Sequence, residues 1–211
     1  MKLSEKDSRL LEVCIQELEI RTCAEVVLVV RESSGNYRDV AHLIGAVSAW
    51  GLLLAAMSVP TEIPEYWLPL PMIFVFWTAS WLIQHSPARV WFVTKKRKQV
   101  QVAKAAHACF YEKKIHQTTS HTGILVYCSL LEGRAEIVMD HTAEKALNSK
   151  RILEFQDQLI THVCKSTDCL RGLLEVLRTF GLYLGQELPP STCEKLNELE
   201  NAPDFSAGDG I

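Results

Sequence analysis

The sequence predicts an α/β protein: a small mixed β-sheet, made of a parallel pair and an antiparallel hairpin, flanked by helices and interrupted by a two-helix transmembrane hairpin. Two apolar runs without fixed charge, 40–61 and 66–88, predict the membrane part. A β-branched run before them and two apolar runs around Glu132-Gly133 predict the strands. The 211 residues carry 22 basic and 25 acidic side chains, which fits one medium domain and argues against a protein that coats nucleic acid.

The two apolar runs have the length and composition of membrane spans. As a helix of about 20 residues, the run 40–59 would extend roughly 30 Å, the thickness of a bilayer's hydrocarbon core. In the second run, Pro69 and Pro71 fall in the first turns, where a missing N–H costs least. Two buried helices of a soluble core are the alternative, but a chain of this size cannot easily wrap two such runs on every side. We therefore predict a transmembrane helical hairpin over residues 39–88.

The charges beside the hairpin predict its orientation. The connecting turn carries only Glu62 and Glu65, whereas six basic residues and no acid follow the second span before Glu112. By the positive-inside rule, we expect a multi-pass membrane protein with both termini cytoplasmic and the connecting turn facing outward. A juxtamembrane basic run is most often a topology determinant that also touches anionic lipid, although a nucleic-acid patch is an alternative. The six residues are Arg89, Lys95, Lys96, Arg97, Lys98 and Lys104.

The rest of the chain predicts a domain assembled from two parts, 1–38 and 89–188, followed by a disordered acidic tail at 189–211. The first part contains an amphipathic helix and a strand at 24–30. The second part begins with one long helix at 87–115. A long helical crossover joins the first two strands, so we expect them to be parallel. The remaining elements are strands at 123–131 and 134–139 and helices at 142–148, 150–164 and 167–187.

This topology brings two sets of polar residues together. The end of the first strand, at Ser33 and Ser34, should share one sheet edge with the Glu132-Gly133 turn. Those serines are turn formers, because no base is spaced to activate them as nucleophiles. At the opposite edge, three polar residues with side chains that can ligate a metal should lie close together, namely His121, Asp140 and His141.

The segments 24–37, 118, 121–127, 132–138, 140, 181–189 and 197–199 occur in a characteristic order. Taken in that order, they resemble the TPM domain family (TPM phosphatase-like). The similarity covers about residues 5–200 and is greatest to the bacterial membrane-anchored branch, in which a helical hairpin interrupts the domain. The resemblance implies an α/β sandwich. Some soluble relatives are described as acid phosphatases or calcium binders, and others as assembly or repair factors for photosynthetic membrane complexes. After Asp140, relatives tend to show a basic residue and glycine where this chain has His141-Thr142-Ala143.

The edge formed by His121, Asp140 and His141 has two interpretations. A carboxylate with two imidazoles could ligate a divalent metal such as Ca²⁺ or Mg²⁺, and that ion could activate water against a phosphate ester. An aspartate between a strand and a helix is more often an N-cap, which is the interpretation we favour. The seven cysteines show no metal-ligand spacing, and we expect them to be reduced in the cytosol.

Taken together, the sequence predicts an integral inner-membrane protein whose cytoplasmic TPM-like domain is a binding or assembly module for a membrane-associated protein partner. The alternative function is a metal-dependent phosphatase that uses the Asp140 edge. Self-association through the spans is left open.

Overall fold

The computed structural model describes residues 5–58, 67–118, 120–164, 169–190 and 203–206. They belong to two compact units. The α/β unit comprises Met1–Gly35 and Lys98–Ile211, and the helical unit comprises Asn36–Arg97.

A mixed sheet of strand order β3-β2-β1-β4 forms the centre of the α/β unit. Strands β1 and β2 are parallel, with Glu25 opposite Gly123 and Arg31 opposite Ser129. Strands β2 and β3 are antiparallel, because a short turn at Gly133 reverses the chain. The predicted parallel pair and antiparallel hairpin are therefore confirmed. The strands are β1 (Glu25–Arg31), β2 (Gly123–Ser129), β3 (Arg134–Met139) and β4 (Asp204–Ser206).

Helices cover both faces of this sheet, as the almost continuous apolar character of the strands predicts. Alternate residues of β1, such as Val26 and Leu28, face a core shared with helices α1, α6 and α7. The intervening residues Val27 and Val29 face a second core formed with helix α4. The helices of this unit are α1 (Glu5–Arg21), α4 (Lys95–Glu112), α5 (His141–Ala146), α6 (Ser149–Leu159) and α7 (Cys169–Glu187), with a π-helical turn at Ile160–Cys164.

The long helix predicted at 87–115 is wrong as a single element. The chain forms a 3-10 helix at Pro87–Phe92, then α4, then a 3-10 turn at Ile115–Gln117. It breaks first because Val93 is buried in an extended conformation, and later because Lys114 adopts a left-handed backbone with φ of 56°. Helical spacing of apolar residues did not reveal either break.

Two further expectations differ from the structure. The disorder predicted for 189–211 does not extend to β4, which pairs in parallel with β1 through Val29 and Asp204. The expectation of reduced cysteines fails at Cys23, which forms a disulfide bond. Cys14 and Cys109 are free thiols.

The helical unit contains α2 (Arg38–Ser58) and α3 (Pro69–His85), which pack against each other. They approach closely at Gly45, where an added Cβ would collide with Ser80 Oγ and lie 2.8 Å from the Phe76 carbonyl oxygen. Among the described helices, α2 is the one long and apolar enough to cross a membrane, judged by length and composition; α3 has 17 residues. A transmembrane hairpin therefore stays a prediction.

Candidate functional site

At the edge of the sheet where β2 begins and β3 ends, the structure brings His121 and Asp140 together. The Asp140 N–H donates to the Gly123 carbonyl oxygen at 2.9 Å, which fixes Asp140 beside the start of β2. His121 adopts a left-handed backbone with φ of 51°, and its Nδ1 lies 3.1 Å from Asp140 Oδ2. His121 is 63% exposed in its side chain and Asp140 only 14%. The two residues therefore form a surface ion pair when the imidazole is protonated.

Asp140 is also the N-cap of α5. Its Oδ1 accepts a hydrogen bond of 2.7 Å from the His141 N–H, while the His141 side chain is exposed. Both carboxylate oxygens of Asp140 thus have donors from neighbouring residues. Within the described ranges, no group of three or more His, Cys, Asp or Glu side chains is arranged to hold a metal ion. The donors present at this edge fit a helix cap better than a Ca²⁺ or Mg²⁺ site, and the metal site at His121, Asp140 and His141 stays a prediction.

At the opposite edge, where the parallel strands end, Ser33 and Ser34 lie beside the Glu132-Gly133 turn as predicted, but they belong to a polar cluster whose hydrogen bonds sequence analysis did not predict. Its centre is the Glu132 carboxylate, which is only 5% exposed. Oε1 accepts hydrogen bonds of 3.0 Å from the N–H groups of Ser34 and Gly35 and one of 3.2 Å from Ser33 Oγ. Oε2 accepts a short hydrogen bond from Ser129 Oγ. Glu132 therefore joins the chain that leaves β1 to the turn between β2 and β3.

The hydroxyl groups of this cluster form a directed chain that ends at Glu132. Ser34 Oγ donates to Ser129 Oγ at 2.8 Å, and its single proton is then used. Tyr127 must consequently donate to Ser34 Oγ across their 2.9 Å separation. Burial raises the pKa of the Tyr127 phenol, although the contact with Ser34 opposes this, so the phenol keeps the proton that it donates.

Ser33 and Ser34 were predicted as turn residues, and in the structure they lie in the segment that follows β1. Their hydrogen bonds to Glu132 join residues almost a hundred positions apart. In the sequence, the Glu132-Gly133 turn indicated a hairpin. Nothing in that pattern indicated that the Glu132 carboxylate would be buried.

Exposed apolar side chains dominate the surface of the helical unit. Those on α2 and α3 are between 56% and 76% exposed, and only 22% of the apolar stretch of α2 is buried. Monomeric soluble proteins rarely expose apolar surface in this amount. The residues are Leu43, Val47, Trp50, Leu54 and Met57 on α2, and Leu70, Ile73, Phe74, Trp77, Trp81 and Leu82 on α3.

The chain that follows α3 changes from apolar to basic within a few residues. We call residues 86–98 the basic segment. Ser86 Oγ accepts from the Ala88 N–H and starts the 3-10 helix, which ends in the exposed pair Trp91 and Phe92. Four cations follow, of which Arg97 is paired with Asp39 at 2.8 Å.

Comparison with known proteins shows a fold and no family. No model of a known protein family matches the chain, and no curated protein matches it in sequence. Its structure is similar to the NMR structure of BA42 protein from the psychrophilic bacterium Bizionia argentinensis. The TM-score is 0.58, with 13% identity over 98% of this chain and 97% of that chain. At this level of identity the similarity shows a shared fold alone, so the TPM resemblance stays an expectation.

Proposed function

We propose that this chain is an integral membrane protein, anchored by α2 and α3, whose α/β unit binds a membrane-associated protein partner. The observation that carries the proposal is the exposed apolar surface of the helical unit. A helix in the core of a soluble protein is buried on most sides. Here α2 turns one narrow stripe of small residues toward α3 and leaves its large side chains exposed.

Small residues at a helix interface are typical of membrane proteins. In a bilayer, helices gain little from hiding apolar side chains from lipid, so close backbone packing drives their association instead. The buried positions Ala41, Gly45 and Ala49 recur every four residues on α2, and Ser80 of α3 faces Gly45. This arrangement supports a helical pair with lipid as its surroundings.

The partner-binding part of the proposal is supported by α1. One face of α1 packs Leu11, Ile15 and Leu18 into the core. On its other side Leu10 and Val13 are 54% and 52% exposed, three residues apart and therefore on one face. Exposed apolar side chains grouped in this way are typical of a protein contact. The polar residues at both sheet edges already bind one another, which favours a binding module over the phosphatase alternative.

Extraction from membranes tests the anchor. The full chain should remain in the membrane pellet after alkaline carbonate treatment and should dissolve in mild detergent. Recovery in the supernatant without detergent would refute the membrane proposal.

Two features predict opposite compartments for the α/β unit, and one labelling experiment separates them. The basic residues after α3 place both termini in the cytoplasm, whereas the Cys23 disulfide is typical of an oxidising compartment. Our proposal follows the charges. A membrane-impermeant thiol reagent should then fail to label the half-buried Cys169 in intact cells and should label it after lysis. Labelling in intact cells would place the unit outside.

Comparative affinity purification tests the partner. Proteins captured in mild detergent by the wild type should be lost by the Leu10→Asp/Val13→Asp variant. Gln16→Asp, at an exposed position of the same helix, should retain them. Equal capture by all three proteins would contradict the proposal. Hydrolysis of a generic phosphomonoester with Ca²⁺ or Mg²⁺, abolished by Asp140→Ala, would favour the phosphatase instead.

A further inference from the structure

We propose that the basic segment, residues 86–98, is a binding surface for the headgroups of anionic phospholipids. This inference rests on the proposed function, since it assumes that α3 brings the segment to a bilayer. Its chemistry, however, can be tested separately from the anchor.

The segment first presents an aromatic pair. Trp91 is 85% exposed and Phe92 is 62% exposed, although the neighbouring Val90 and Val93 are buried. The segment thus buries Val90 and Val93 and leaves its two aromatic side chains exposed. Tryptophan is enriched at the level of lipid headgroups because its ring is apolar and its N–H needs a polar partner. The pair has the chemistry of an interfacial anchor.

The segment then presents uncompensated positive charge. Lys95 and Lys96 are exposed and form no ion pair with the described residues, and the next acid along the chain is Glu112. Arg97 differs, because Asp39 binds it at 2.8 Å and the Tyr37 ring lies 5.9 Å from its guanidinium carbon. Lys95 and Lys96 are therefore exposed cations that can bind an external anion.

These lysines do not serve the stability of α4. They lie in its first turn, which contains no acid, and cations there oppose the helix dipole. Thr94 supplies the capping hydroxyl, accepting from the Arg97 N–H at 3.4 Å. A run of cations directly beside exposed aromatic residues is complementary to a surface that is negative at the headgroups and apolar below them.

Competitive lipid retention tests this inference. The full chain in mild detergent would be mixed with equal amounts of phosphatidylglycerol and phosphatidylcholine, and the bound lipids would be counted by native mass spectrometry. We expect the wild type to prefer phosphatidylglycerol. Lys95→Gln/Lys96→Gln should reduce that preference by about fivefold for each lysine removed, and added salt should weaken it in the wild type.

The matched control is Lys145→Gln/Lys150→Gln, which removes two exposed lysines outside the segment. It should leave the preference unchanged. An equal loss in both variants, or no loss in the first, would overturn the inference. Trp91→Ala/Phe92→Ala should lower retention of both lipids alike, because the rings supply apolar contact and no charge. A change in the ratio comparable to that of the lysine variant would overturn this division of roles.

Two further results separate this inference from the proposed anchor. If carbonate extracts the chain but the wild type still floats with vesicles containing phosphatidylglycerol, and not with phosphatidylcholine vesicles, the anchor fails and the headgroup surface stands. If the chain resists extraction and shows no lipid preference, only the headgroup surface fails. Binding of RNA that depends on Lys95 and Lys96, without any preference for phosphatidylglycerol, would identify a nucleic-acid surface and refute the inference.

Discussion

Replacing Glu132 with alanine would remove the acceptor that ties the end of β1 to the turn between β2 and β3. The carboxylate is buried and binds two backbone N–H groups, those of Ser34 and Gly35, besides the hydroxyls of Ser33 and Ser129. Alanine cannot accept any of these bonds. Because the backbone donors are part of the chain, they cannot turn toward a new partner as a side chain can.

The expected loss of stability follows from these donors. A buried donor left without its acceptor costs about 1–3 kcal/mol. Ser34 and Ser129 already bind each other at 2.8 Å and keep that contact, so the two N–H groups account for most of the loss. We expect Glu132→Ala to destabilise the protein by roughly 3–5 kcal/mol. Glu132→Gln keeps one carbonyl oxygen for the backbone donors and should cost about 1–2 kcal/mol.

Thermal unfolding of the purified full chain in mild detergent measures this effect. Each kcal/mol corresponds to about 2–4 °C in a domain of this size, so Glu132→Ala should lower Tm by on the order of 10 °C. Glu175→Ala, which removes an exposed carboxylate from α7, is the control and should change stability by less than about 0.5 kcal/mol. If both variants unfold at the wild-type temperature, the cluster does not stabilise the fold as argued here.

Substitutions at four other positions test separate parts of the structure in the same unfolding assay. Gly45→Ala should destabilise the helical unit by about 1–3 kcal/mol, because its Cβ would press on the Phe76 carbonyl. Gly51 has open space around it, so Gly51→Ala should stabilise the helical unit by about 0.5–1 kcal/mol. If Gly45→Ala and Gly51→Ala changed the stability in the same direction, the close packing at Gly45 would be refuted. Burial raises the pKa of Glu136 above its ordinary 4.5, although His107 and Gln156 oppose this shift. The contribution of Glu136 to stability is therefore full below pH 4.5, and it declines as the pH rises through the folded-state pKa. Glu136→Gln should therefore stabilise the protein at pH 7 and not at pH 4; equal effects at both would contradict this. Asp140→Ala should lower the stability by about 1 kcal/mol, whereas Asp140→Asn should change it little, since asparagine also caps helices. Equal losses of stability in the two variants would exclude a capping role for Asp140.

Local patterns predicted the elements of the sheet well. The β-branched run of β1 and the apolar runs of β2 and β3 appear as strands, and the long connection between β1 and β2 correctly indicated a parallel pair. These features depend on residues close in sequence and on general rules of chain connection, so one sequence suffices to predict them.

Local patterns failed where a backbone conformation or a distant pairing decided the structure. The helix expected from 87 to 115 breaks at Val93 and again at Lys114, although neither residue is a helix breaker by type. Strand β4 forms because the edge of β1 offers unpaired backbone groups to Asp204 and its neighbours. An acidic tail rich in small residues gives no sign of such a pairing.

The candidate sites, too, were predictable only where they depend on local sequence patterns. Proximity of His121 and Asp140 followed from the topology predicted for β2 and β3, and the cap on α5 followed from a polar residue between a strand and a helix. By itself, the sequence determined the apolar runs, the basic segment and the arrangement of β1, β2 and β3, because these depend on composition and spacing. Only the tertiary structure decided that Glu132 turns inward to bind Ser33–Gly35. A buried carboxylate needs hydrogen-bond donors, and here those donors come from a segment that only the fold brings close to it.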